Sequence, residues 1–172
     1  MQVKDLLLGV PSGLPGLADA ENPFVDALAL VDTQVTRVVV DVLGGTVGIL
    51  LELRQAPRLR GTTGLLRVAG VVRQEWTGSA AANHFTAWTI TDAVIERDLT
   101  DIRIDLHCLP AGSLHVTGST ADFVLLAARP DLTPPPPNDP EALRRFGEVD
   151  ESAAADPLAA AHLRTSAPFP RR

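Results

Sequence analysis

His107 and His115, with Asp105 two residues before the first of them, are the residue types that hold a zinc-like ion. If Leu106 faces Val116 across a turn at Pro110, the two imidazoles are neighbours on the outward face of a hairpin. A working metal site needs three or four convergent ligands with supporting hydrogen bonds, so these residues read as exposed polar positions and no metal is assigned. Cys108 follows His107 directly, but adjacent strand residues point to opposite faces, so the imidazole cannot activate the thiol. Its phase with Ile104 and Leu106 makes it a core residue. His84 and Ser79 share a loop without a placed acid or a nucleophile elbow, too little for a hydrolase.

Gly44-Gly45-Thr46-Val47-Gly48 looks like a phosphate loop, yet it joins two strand-like segments, whereas phosphate cradles lead into a helix whose amides hold the anion. It reads as a hairpin turn, and no cofactor is expected. Arg54, Arg58 and Arg60 form a basic cluster on a loop, either solvated charge or an anchor for an acidic partner, since arginine is enriched at interface hot spots. Trp76 and Trp88 read as core or sheet-face residues rather than a stacking platform.

The elements that would position these residues follow from periodicity. Asn22-Pro23 is a helix-start signal, and Phe24, Ala27, Leu28 and Val31 share one helical stripe, so a helix over 23–32 is expected to lie on a sheet. From Val35 the period is two. If Gly44-Gly45 is the whole turn, Val42 faces Val47, Val40 faces Ile49, Val38 faces Leu51 and Arg37 faces Glu52. Val39 and Leu50 then fall on the second sheet face. Further strands read Thr63 to Trp76 with a bulge or close crossing at Gly70, and Phe85 to Glu96 with a bend near Asp92. The last two read Ile102 to Cys108 and Leu114 to about Ala127. The expected fold is α+β, mainly β: an antiparallel meander of about six strands with an N-terminal helix packed on it. A sandwich with a capping helix is the alternative.

The expected divisions are a leader loop over 1–21, a β-rich core over 22–130, and a proline-rich linker and tail over 131–172. Leader residues 9–22 are broken by Gly and Pro, and although Ala18-Asp19-Ala20 looks like a signal-peptide cleavage site, Asp5 and the prolines weaken that comparison. Pro134 to Pro137 favour an extended spacer that also resembles ligands of polyproline-binding modules. Asp139-Pro140 and Asp156-Pro157 predict short helices over Glu141 to Phe146 and Leu158 to Leu163, with Leu143 and Phe146 able to dock on the core.

Composition narrows the function classes. With 45% hydrophobic and 21% charged residues, the chain falls among folded soluble proteins. A net charge of −6 argues against nucleic acid, and no apolar run reaches membrane-spanning length. The single cysteine cannot pair internally, which fits a cytoplasmic setting.

Gly70-Val71-Val72-Arg73-Gln74-Glu75-Trp76, preceded by the Gly44-Gly45 hairpin and followed by a strand ending near Phe123, resembles small uncharacterised β-rich bacterial proteins, some of immunity-protein type. The resemblance covers residues 35–125 and implies no site residue. The function expected is a non-enzymatic protein-interaction module, extending to an immunity-type inhibitor of a partner protein, acting through a sheet face, its exposed edge or the tail, with Val39, Leu50, Arg54, Arg58 and Arg60 as the candidate contact residues. Two other classes stay open. One is a small-molecule carrier or enzyme with a pocket between helix and sheet, walled by Trp76 or Trp88. The other is a subunit of a homo-oligomer that buries Val39 and Leu50 against a second copy.

Overall fold

The computed structural model describes residues 1–78, 88–109, 111–127, 149 and 152–166. A short helix, α1 (Val3–Leu8), precedes nine strands: β1 (Gln34–Asp41), β2 (Thr46–Glu52), β3 (Thr63–Ala69), β4 (Arg73–Thr77), β5 (Trp88–Arg97), β6 (Ile102–Leu109), β7 (Gly112–Gly118), β8 (Thr120–Ala127) and β9 (Asp156–Arg164). All belong to one antiparallel sheet in the order β4-β7-β6-β5-β1-β2-β3-β8-β9. The mainly β, antiparallel expectation therefore holds, with nine strands in place of about six. The segments read as single strands over 63–76 and 114–127 are each two strands, and β9 is new.

The sheet must fold over on itself. β3 and β4 stand six places apart, roughly 29 Å along a flat sheet at ~4.8 Å per strand. The three residues joining them span at most about 14 Å. β7 and β8 are equally far apart in the order, yet Ser119 alone links them. Both connections turn a corner from one half of the sheet to the other, as strands that switch layers do. Ser119 donates its amide to the Ala69 carbonyl at 2.9 Å, so the two corners touch. Gly70, expected at a bulge or crossing, sits at one of them with φ +63°, where a side chain would run into Ser119.

The inner faces of the two halves enclose one core. Val47, Ile49 and Leu51 of β2, Leu66 and Val68 of β3, and Phe123 of β8 meet Ile102, Ile104 and Leu106 of β6 and Leu114 and Val116 of β7. The alternation expected for β6 is what the strand shows, with Cys108 on the buried side. The bend expected near Asp92 is a register shift between Ile90 and Asp92.

Several expectations are corrected. The helix over 23–32 reduces to a single 3-10 turn, Ala27–Leu30, which buries Ala29 and Leu30 and leaves Leu28 exposed. Asp26 accepts from the Leu28 amide at 3.0 Å and starts that turn afresh, cutting it off from the turn that Asn22 caps. The β1–β2 hairpin is shifted by two residues, so that Val40 faces Val47 and Val38 faces Ile49. Its loop is Val42 to Gly45 because Asp41 Oδ1 accepts from the amides of Leu43 and Gly44 at 3.1 and 2.9 Å, an Asx turn that outcompetes the two-glycine turn. A further register shift between Val35 and Arg37 sets Glu52 opposite Gln34 rather than Arg37.

Residues 1–21, read as a loop, carry α1, and the helix expected over 158–163 is strand β9. Val3 and Leu6, three apart and on one face of α1, are fully buried. They close a second core with Leu50, Leu65, Val124, Leu126, Val149, Ala155 and Ala160 on the outer face of β2, β3, β8 and β9. Glycine at 48 permits this, because a side chain there would overlap Leu7. The proline run, the helix over 141–146 with Leu143 and Phe146, and Ser79, His84 and Phe85 lie outside the described residues.

Candidate functional site

The residues expected to face a partner are mostly engaged by the chain itself. Leu50 is wholly buried in the core that α1 closes, whereas Val39, opposite Gly48 on β1, is half-buried and outside that core. α1 and β9 therefore cover Leu50 and leave part of Val39 in solvent. Arg54 bonds Glu52 through both Nε and Nη2 at 2.7 Å, the two side chains 6% and 2% exposed. Arg58 pairs with Asp26 at 2.8 Å and Arg60 with Glu21 at 3.1 Å, both at the surface. Since each arginine has an acid of its own, the three do not form a free basic patch. Exposed pairs of this kind are worth little in stability, so Arg58 and Arg60 can exchange partners at small cost.

The histidine pairing is also corrected. β6 and β7 set Leu106 opposite Leu114, two residues from the expected register, so His107 faces Ser113 and His115 faces Asp105. Among the described residues, no three His, Cys, Asp or Glu side chains converge to hold a metal ion. Burial pushes the Cys108 thiol up to about 11, as befits a core residue.

A different surface stands out. Val38 and Val40 lie on the inner face of β1, Trp76 on that of β4, and here the two halves do not close over one another. A groove of about 280 Å³ is lined by Val35, Val38, Gln74, Trp76 and Trp88. The two indoles that line it meet edge to face, centroids 4.8 Å apart at 87°. Next to it, a depression of about 200 Å³ is lined by Val40, Val42, Val47, Val71 and Val72. At its rim the Asx turn presents Val42 at 84% and Leu43 at 100% exposure, with Val72 at 74%.

Sequence reasoning placed Val42 and Leu43 inside a strand and so missed that they are a loop tip. The signal was Asp41, whose side chain commonly rebuilds the turn that follows it. No protein-family profile matches the chain, and a search of curated proteins finds no match.

Proposed function

We propose that this protein is an interaction module that binds another protein through the apolar strip running from Val42 and Leu43 past Val72 to the Trp76–Trp88 groove. The carrying observation is Leu43: a leucine wholly in water, at the tip of a loop whose backbone Asp41 holds in place. Exposed aliphatic residues scattered singly are ordinary; several beside an aromatic-lined groove are the composition of an interface core. The fixed turn also lowers the ordering cost of binding.

The finer form of the proposal, an immunity-type inhibitor of a partner protein, draws its support from the Gly-Val-Trp pattern of residues 70–76 and predicts that the partner is a toxin. The alternative of a small-molecule carrier or enzyme would use the groove walled by Trp76 and Trp88, between β1, β4 and β5 rather than beneath a 23–32 helix.

The test is affinity capture from native lysate with wild type, Leu43→Asp and Val72→Asp. A partner retained by wild type and by Arg60→Ala but lost by both apolar variants, with melting temperatures within about 2 °C, is the expected result. Retention of the same partner by both apolar variants overturns the proposal.

A further inference from the structure

On the solvent side of the sheet, Asp105, His115 and Thr117 form a connected chain. His115 and Thr117 are two apart on β7 and so share a face, and Asp105 is the residue of β6 directly opposite His115. His115 Nδ1 is hydrogen-bonded to Asp105 Oδ1, and His115 Nε2 lies 3.0 Å from Thr117 Oγ1. A carboxylate only accepts, so in the neutral ring Nδ1 carries the hydrogen. Nε2 must then accept from the Thr117 hydroxyl. An acid that orients a base, and a base that draws on a hydroxyl within hydrogen-bond reach, is the arrangement that activates an oxygen nucleophile.

The surroundings fit a reacting centre. Arg73 on β4 and Arg103 on β6 are the two residues directly opposite Thr117, one on each neighbouring strand, so cationic side chains flank the hydroxyl from both sides. His115 and Thr117 line an open groove of about 730 Å³, a volume in the range of small-molecule sites, with Arg73, Arg97 and Arg103 and with the acids Glu96, Asp98 and Asp101. Arg73 is paired with Glu75, and Arg103 with Glu96 and Asp105, whereas Arg97 has no ion-pair partner among the described residues.

We propose that Thr117 is the nucleophile, and His115 the general base, of a site that hydrolyses small carboxylic esters carrying a second, anionic group, which Arg97 receives. Thr117 Oγ bonds to the ester carbonyl carbon while its proton passes to His115 Nε2, and the carbonyl π pair moves onto oxygen between Arg73 and Arg103. That pair returns, the bond to the leaving oxygen breaks, and the alcohol departs with the proton from Nε2. Water then attacks the acyl carbon, giving its proton to Nε2, and Thr117 Oγ leaves and takes that proton back. The products are the acid and the alcohol. This site borders the partner-binding strip, since Arg73 lines both and the Val72 amide donates to the Thr117 carbonyl at 3.0 Å.

The experiment compares release of 4-nitrophenol from 4-nitrophenyl hydrogen succinate and from 4-nitrophenyl acetate by the full-length protein. Wild type is expected to show saturable hydrolysis of the succinate ester. Thr117→Val should lose it by roughly 100-fold or more, and Thr117→Ser, which restores a hydroxyl, should keep it. Independently of folding in the variants, a fluorophosphonate reagent should add to wild-type Thr117, read by peptide mass spectrometry. Hydrolysis by wild type no faster than by Thr117→Val, or no adduct at Thr117, overturns the proposal. Equal rates on the neutral ester, or an unchanged preference in Arg97→Ala, overturn its substrate class.

Discussion

Arg67 on β3 and Asp122 on β8 stand directly opposite one another, and Arg67 Nη1 donates to Asp122 Oδ2 at 2.9 Å. The same guanidinium donates through Nε to the Leu7 carbonyl at the end of α1 at 2.8 Å. Asp122 also accepts from Arg164 at 2.6 Å and meets His162 Nδ1 at 2.7 Å, both on β9. One buried carboxylate thus ties β3, β8, β9 and, through Arg67, the helix.

Asp122→Asn should destabilise by about 1.5–3 kcal/mol at pH 7, because a buried carboxylate that accepts charged hydrogen bonds from Arg67 and Arg164 is replaced by an amide that cannot accept them all. Burial pushes the Asp122 carboxyl up, but hydrogen bonds from His162, Arg164 and Arg67, with the charge of Arg164, outweigh it and hold its pKa below the ordinary value. A lowered folded-state pKa means stability that is complete above the unfolded-state value of about 4 and lost as the pH falls through the folded-state value. Urea titrations across pH 7 to 2.5 should show the gap between wild type and variant narrowing only below about pH 4.

Leu6→Ala should destabilise by roughly 2–5 kcal/mol, the range for a fully buried leucine, since Leu6 is wholly enclosed by the second core. A urea midpoint unchanged from wild type would show that α1 does not share the cooperative unit.

Gly70→Ala should cost about 1–2 kcal/mol for the positive φ alone, and more because the new methyl meets Ser119. Adding Ser119→Gly should return the part due to crowding and leave the part due to φ. Thermal melts of the two variants separate the contributions.

Cys108, with its thiol raised to about 11 by burial, should not react with a disulfide reagent at pH 8 while the protein is folded. In denaturing urea it should titrate as one thiol within seconds. Absorbance during the reaction reads both.

How much of this was legible follows from where the information resides. β6 was readable to the residue because one of its faces is buried and the other wet, so Ile102, Ile104, Leu106 and Cys108 alternate with polar neighbours. Hairpin registers were not, because turns set them. Asp41 moved β1 against β2 by two residues, and a like shift between β6 and β7 put His115 against Asp105 rather than His107. Those two residues decided whether the outer face displays two imidazoles or an acid–base–hydroxyl chain. α1 is too short to be stable alone, and its place comes from the sheet beneath it. In β9 the alanines 159–161 favour a helix locally, but pairing with β8 overrides them, a non-local effect that composition cannot carry. Leu50 falls on the outer face, and its cover, Val3 and Leu6 of α1 with Ala155 and Ala160, is remote from it in sequence, where periodicity does not reach.

That cover also sets how far apart in the chain folding must reach. α1 packs on Leu50, Leu65 and Val124 and, beyond them, on Ala155 and Ala160. Met1 is hydrogen-bonded to Ala155 across a separation of 154 residues, and Gln2 bridges Ala154. Contacts this distant repay their loop-closure entropy late, so the outer face of β2, β3 and β8 stays uncovered until β9 and α1 arrive together. The last step of folding is therefore the one that leaves most apolar surface exposed to other chains.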